Sequence, residues 1–137
     1  EPQIATLIAD IDAYLYIIEC MANVSKDQIK ENTIPLVKII RDKHPKTPIL
    51  LVENIMYESG YLDTLVNDEL LEEDKELKHQ FNIMVHNGIK DIFYIDSEGA
   101  TGFDHEGTVD GVHFTDLGFM RYADFLINQF KQLGLIE

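Results

Sequence analysis

Pro48-Ile49-Leu50-Leu51-Val52-Glu53 holds four apolar residues with no polar interruption, entered through a proline and left through a carboxylate. A half-exposed strand would alternate apolar and polar residues; an unbroken run this short suits a strand buried on both faces. Tyr14-Leu15-Tyr16-Ile17-Ile18 upstream and Ile92-Phe93-Tyr94-Ile95 downstream repeat the pattern. The intervals between the runs have helical spacing. Ser25-Lys26-Asp27-Gln28 forms a capping box that opens a helix carrying Ile29, Ile34, Val37 and Ile40 to about Lys43, with a kink or a late start expected at Pro35. Asp63 to His86 reads as a long helix with Val66, Leu70, Leu77, Phe81 and Met84 on its apolar positions, ended by Asn87-Gly88. Ile4, Leu7 and Ile8 place a helix ahead of the first strand, ending near Asp10 to Asp12. A loop from Asp96 to Phe114 and a final helix to about Leu133 follow the third strand. Helices alternating with strands in this order predict an α/β fold: a three-layer parallel sheet covered on both faces.

The 137 residues fit one domain, 1–137, which is short for an α/β enzyme that needs roughly five strands with their helices. Glu1-Pro2-Gln3-Ile4 reads as a helix opening, and not as a targeting segment. A formal charge of −14 opposes a nucleic-acid partner, because phosphate binding requires Lys and Arg to release counterions. No apolar run approaches the roughly 20 residues of a membrane span. One cysteine, Cys20, leaves no internal disulfide and no cysteine-based zinc site.

The carboxyl ends of parallel strands gather functional groups, and the loop after the third strand carries Asp110-Gly111-Val112-His113-Phe114-Thr115-Asp116-Leu117-Gly118. On a tight turn at Gly111, Asp110 can accept a hydrogen bond from His113 Nδ1, leaving Nε2 to take a proton from a nucleophile. Thr115 and Asp116 read as the cap and first turn of the final helix. Ser25, Ser59 and Ser97 lie in helix-start or loop settings without the glycine-flanked turn that exposes a nucleophilic hydroxyl. Asn23 follows the first strand, and Glu53 and Asn54 follow the second. A bare D-x-x-H is also compatible with a structural turn beside a surface histidine. Asn23 is equally compatible with a turn residue.

An apolar strand ending in Cys20-Met21-Ala22-Asn23, then Pro48 to Glu53, then Asp110-Gly-Val-His113 with Thr115-Asp116-Leu117-Gly118, resembles the SGNH (GDSL) hydrolases, and most of all their bacterial carbohydrate-esterase branch. The resemblance spans essentially the whole chain and implies the flavodoxin-like SGNH fold, truncated at its N-terminus. It implies that Asp110 orients His113, that His113 is the general base, and that Asn23 is an oxyanion donor. The family's serine and oxyanion glycine would precede Glu1, so the chain by itself is expected to be inactive. The activity implied for the parent is a serine esterase removing short acyl groups, foremost acetyl, from carbohydrate or similar esters, without a cofactor, in a bacterial secreted or periplasmic setting. Loss of the family's first strand would free the edge Tyr14 to Cys20, so dimerisation or strand exchange is expected there.

Two other readings accompany this one. Asp104-His105-Glu106 with Asp110 and His113 is dense in possible metal ligands, although it lacks a calcium-loop spacing and no H-E-x-x-H helix is present. A non-catalytic flavodoxin-like binding or regulatory domain would share the fold class. Tyr57 and Tyr61 read as a substrate wall or a packed lid, and His44, His79 and His86 as solvated surface groups.

Overall fold

The computed structural model describes residues 2–137. Strands β1 (Tyr16–Ile18), β2 (Ile49–Val52) and β3 (Ile92–Ile95) are parallel and lie in the order β1-β2-β3. Ile49 pairs with Tyr16 on one side and Ile92 on the other, and Leu51 with Ile18 and Tyr94. The middle position explains the unbroken apolar run, because all four side chains of β2 are buried.

Alternation of side chains along β2 divides the core into two layers. Ile49 and Leu51 meet Ile29, Val37 and Ile40 of α2 (Lys26–Lys43) and Leu77 and Met84 of α3 (Thr64–His86), with Ala9 of α1 (Pro2–Ala9) at the margin. Leu50 and Val52 join Ile95 and Phe93 on the opposite face, under Phe125, Leu126 and Phe130 of α4 (Asp116–Gln132). The three-layer α/β arrangement expected from the order of elements is therefore present.

The helix starts follow their local chemistry. Ser25 Oγ accepts from Gln28 N–H at 3.4 Å while Gln28 Oε1 accepts from Ser25 N–H at 2.9 Å, so α2 opens on a reciprocal capping box. Pro35 does not interrupt α2. It sits exposed, as does Glu31, so the carbonyl that loses its i+4 donor faces water.

Two expectations are corrected. β1 begins at Tyr16 and not at Tyr14; it has one neighbour among the described residues, the free edge that the resemblance implied, and Ile17 is 46% exposed. An apolar run signals a strand without telling whether both flanks are covered. His44 is a packing residue and not a solvated one: its Nε2 bonds to the Ala9 carbonyl at 2.9 Å and its ring lies 5.3 Å from that of Tyr16.

Candidate active site

The loop between β3 and α4 is held at several points before its functional side chains are considered. Thr115 caps α4, accepting from Gly118 N–H at 3.0 Å, and its own hydroxyl donates to the Glu106 carbonyl at 3.0 Å. Thr115 N–H donates to Gly107 O at 2.9 Å and Val109 N–H to His113 O at 2.8 Å. Gly118 lies so close to Gly107 that a Cβ there would stand 2.0 Å from the Gly107 carbonyl oxygen. Arg121 of α4 grips Asp104 through both guanidinium ends, at 2.6 and 2.7 Å, and bonds the Thr101 carbonyl at 3.0 Å. Across the loop, the short turn Glu58–Tyr61 after β2 supplies Ser59 N–H to the Gly111 carbonyl at 3.3 Å. Glu58 bonds His105 Nδ1 at 2.5 Å, and the Tyr61 ring meets His105 edge-on.

On this base the structure brings Asp110 and His113 together. Gly111 has φ +92°, a conformation suited to glycine, and it lets the chain turn so that Asp110 Oδ1 accepts from the backbone N–H of Val112 at 3.0 Å and of His113 at 2.8 Å. Asp110 Oδ2 then meets His113 Nδ1 at 2.7 Å. The His113 backbone bond, the ring bond and the Val112 bond together hold the Asp110 carboxyl down at about 2. An ionised carboxylate only accepts, so Nδ1 carries the hydrogen, and in the neutral ring Nε2 is the basic nitrogen. His113 is 79% exposed in its side chain, and Nε2 has no hydrogen-bond partner among the described residues.

Asn23 closes the short turn Met21–Asn23 after β1. It is exposed, and its side chain makes no hydrogen bond among the described residues, to Asp110, His113 or any other group. No serine hydroxyl among them bonds His113. Ser25 is committed to the α2 cap and Ser97 to the Asn54 carbonyl, while Ser59 reaches the loop through its backbone.

The dense run Asp104-His105-Glu106 is dispersed among different partners: Asp104 to Arg121, His105 to Glu58, and the Glu106 carbonyl to Thr115. Glu53 and Asn54 bond neither Asp110 nor His113; they meet the start of the loop, where Ser97 N–H donates to Glu53 at 3.3 Å and its hydroxyl to the Asn54 carbonyl. Asn54, 2% exposed, donates from its backbone to Asp74 at 2.9 Å and from Nδ2 to Glu73 at 2.9 Å, while Tyr94 donates to Glu53. Burial first, and the fields of Glu53 and Glu73 after it, push the Asp74 carboxyl up to about 7 against the bond from Asn54. Sequence reasoning missed this network and the Ser59–Gly111 brace, since each joins residues far apart in the chain with no local signature.

Residues 1–131 match the family model described as GDSL-like lipase/acylhydrolase. A crystal structure described as a GDSL-like lipase from Bacteroides ovatus superposes with TM-score 0.95 at 31% identity, covering 100% of this chain and 41% of that one. A salicylyl-acyltransferase from a tetracycline biosynthetic pathway shares the fold, with TM-score 0.80 at 20% identity, over 99% of this chain and 42% of its own. The chain thus spans about two-fifths of the length of these structures. No curated protein sequence matches it.

Proposed function

The chain belongs to the GDSL-like lipase/acylhydrolase family, and from that premise we propose that it carries the acid–base half of a serine esterase that removes short acyl groups, foremost acetyl, from carbohydrate or similar esters. The observation that carries the reading is the 2.7 Å Asp110–His113 bond, which leaves Nε2 free and solvent-facing. On this reading a serine hydroxyl, brought to Nε2 by a segment other than those described, attacks the ester carbonyl. Its proton passes to Nε2, the C–O bond to the alcohol breaks, and His113 returns the proton to the departing oxygen. Water repeats the sequence in reverse to release the acid. Asn23 Nδ2 donates to the oxygen on which charge develops. The fixed Nδ1 proton and the adjacent carboxylate favour the imidazolium at each transfer.

The test is turnover of p-nitrophenyl acetate by the full-length parent and by its His113→Ala variant. Loss of kcat by roughly 10⁴ or more with little change in KM is expected. Retention of most of the activity removes His113 from the mechanism.

A further inference from the structure

Beside Asn23 lies a cavity of about 200 Å³ that the acid–base pair does not use. Met21, Ala22 and Val24, which flank Asn23 in sequence, form one wall. Val66, Glu69, Leu70 and Glu73 form the other, a spacing that aligns them along one face of α3, and Tyr57 completes the lining. Glu73 is 8% exposed, and its Oε2 accepts from Asn54 Nδ2 at 2.9 Å. Its other oxygen has no partner among the described residues. That oxygen is not sealed from solvent, and it belongs to a residue that lines an open cavity, where a ligand's donor can reach it. Burial raises the Glu73 carboxyl despite the Asn54 bond, and burial with the fields of Glu73 and Glu19 raises the Tyr57 phenol.

The lining selects by chemistry. Two carboxylates are acceptors, so they call for a group rich in donors. No Lys or Arg lines the cavity, which disfavours an anionic ligand. The volume falls below the roughly 300–1,000 Å³ of drug-sized pockets, which admits one small ring and excludes a long acyl chain. A larger hollow of about 630 Å³ between the β3–α4 loop and α4 contains none of Asn23, Asp110 and His113.

We propose that the cavity beside Asn23 is the alcohol-side specificity subsite, taking a neutral hydroxyl-bearing ring of monosaccharide size whose hydroxyls donate to Glu73 and Glu69. Val24, Val66 and Leu70 meet the C–H face of the ring. The assignment rests on the esterase reading for its place in the reaction, but binding itself requires neither a serine nor His113.

The experiment is titration of the ¹⁵N-labelled protein with methyl β-glucoside, glucuronate and ethyl butyrate, following amide shifts. The glucoside is expected to shift Ala22, Val24, Tyr57 and Glu73 saturably, with glucuronate and ethyl butyrate binding at least tenfold more weakly. Glu69→Gln, at the exposed rim, should weaken glucoside binding severalfold, and Glu73→Gln at least tenfold. Shifts confined to other residues, equal binding of ethyl butyrate, or glucoside affinity unchanged in both variants overturns the proposal. The two readings fail separately. Unmoved amides beside p-nitrophenyl acetate turnover by the full-length parent lose the subsite, whereas glucoside binding through Glu69 and Glu73 in a full-length parent that lacks esterase activity keeps the site and loses the reaction.

Discussion

Asp110 and Asp74 carry the same side chain in the region beyond the carboxyl ends of the strands, and the protein drives their acidities in opposite directions. Asp110 is exposed, receives two backbone N–H bonds and the His113 ring, and is held at about 2. Asp74 is half-buried among Glu53 and Glu73, receives one N–H bond from Asn54, and is pushed up to about 7. Donor count and solvent decide the difference: three donors in water stabilise the charge, whereas one donor away from water does not offset desolvation. A permanently ionised carboxylate suits an orienting partner of His113. A carboxyl pushed up to about 7 belongs instead to the contact between the end of β2 and α3, where Asn54 N–H is its donor.

The sharpest way to break this contrast is to remove the charge at Asp110 and keep its shape. In Asp110→Asn, Oδ1 still accepts from Val112 and His113, so the turn persists. The carboxamide then offers a donor to Nδ1, which favours the tautomer with the proton on Nε2 and disables the base. A loss of roughly 10²–10⁴ in kcat for p-nitrophenyl acetate by the full-length parent is expected, with a small loss of thermal stability at pH 7 that closes as pH falls through about 2. Wild-type stability should also show the acid limb of this group. Its folded value of about 2 lies below the ordinary 3.8, so its contribution is complete above pH 4 and is lost as pH falls through about 2, and the variant should lack that limb. An unchanged rate makes Asp110 a purely structural turn residue.

Asn23 belongs to neither region, so it separates charge orientation from oxyanion stabilisation. Asn23→Ala should lower kcat by roughly 10²–10³ while the pH–rate profile keeps its shape. A profile displaced along the pH axis would show that Asn23 acts through His113.

The loop's scaffold is next in size. Gly118→Ala puts a methyl group onto the Gly107 carbonyl, so either α4 or the loop must move. Overpacking of this kind costs about 1–3 kcal/mol, readable in denaturant unfolding, and activity should fall more than stability because the displaced strand of the loop leads to His113. Unchanged activity and stability would mean that the loop tolerates displacement and that Asp110–His113 geometry is maintained by the turn alone.

What was legible in the sequence is what is local. The Asp110–His113 pairing, the Ser25 capping box and the Thr115 cap each join residues three apart, and residue type with spacing suffices for them. The middle strand was legible because burial on both faces erases alternation. Long-range contacts were not. Ser59–Gly111, Glu58–His105 and Asn54–Asp74 join elements that only the folded sheet brings near, and Glu53 and Asn54 look the same in sequence whether they line a site or satisfy a core. The open flank of β1 was not legible in the apolar run, which an edge strand and a central one share; only the family resemblance implied it. Family resemblance named Asn23, and its exposed position beside the Met21–Glu73 cavity came from the fold.

The other half of the contrast makes the smallest prediction. Asp74 has a folded value of about 7 against 3.8, so the native state prefers its protonated form. The sign follows: the contribution to stability is complete below about pH 4 and is lost as pH rises through about 7. Asp74→Asn removes the titration, and its amide oxygen can still accept from Asn54 N–H. After discounting for the solvent that reaches this half-buried group, the variant should be more stable than wild type by about 1–2 kcal/mol at pH 8, with the gap closing by pH 4. Denaturant unfolding at pH 4, 6 and 8 reads this directly. Equal stability at all three values would mean that Asp74 is ionised at neutral pH like Asp110, and that solvent and the Asn54 bond together outweigh burial and the neighbouring carboxylates.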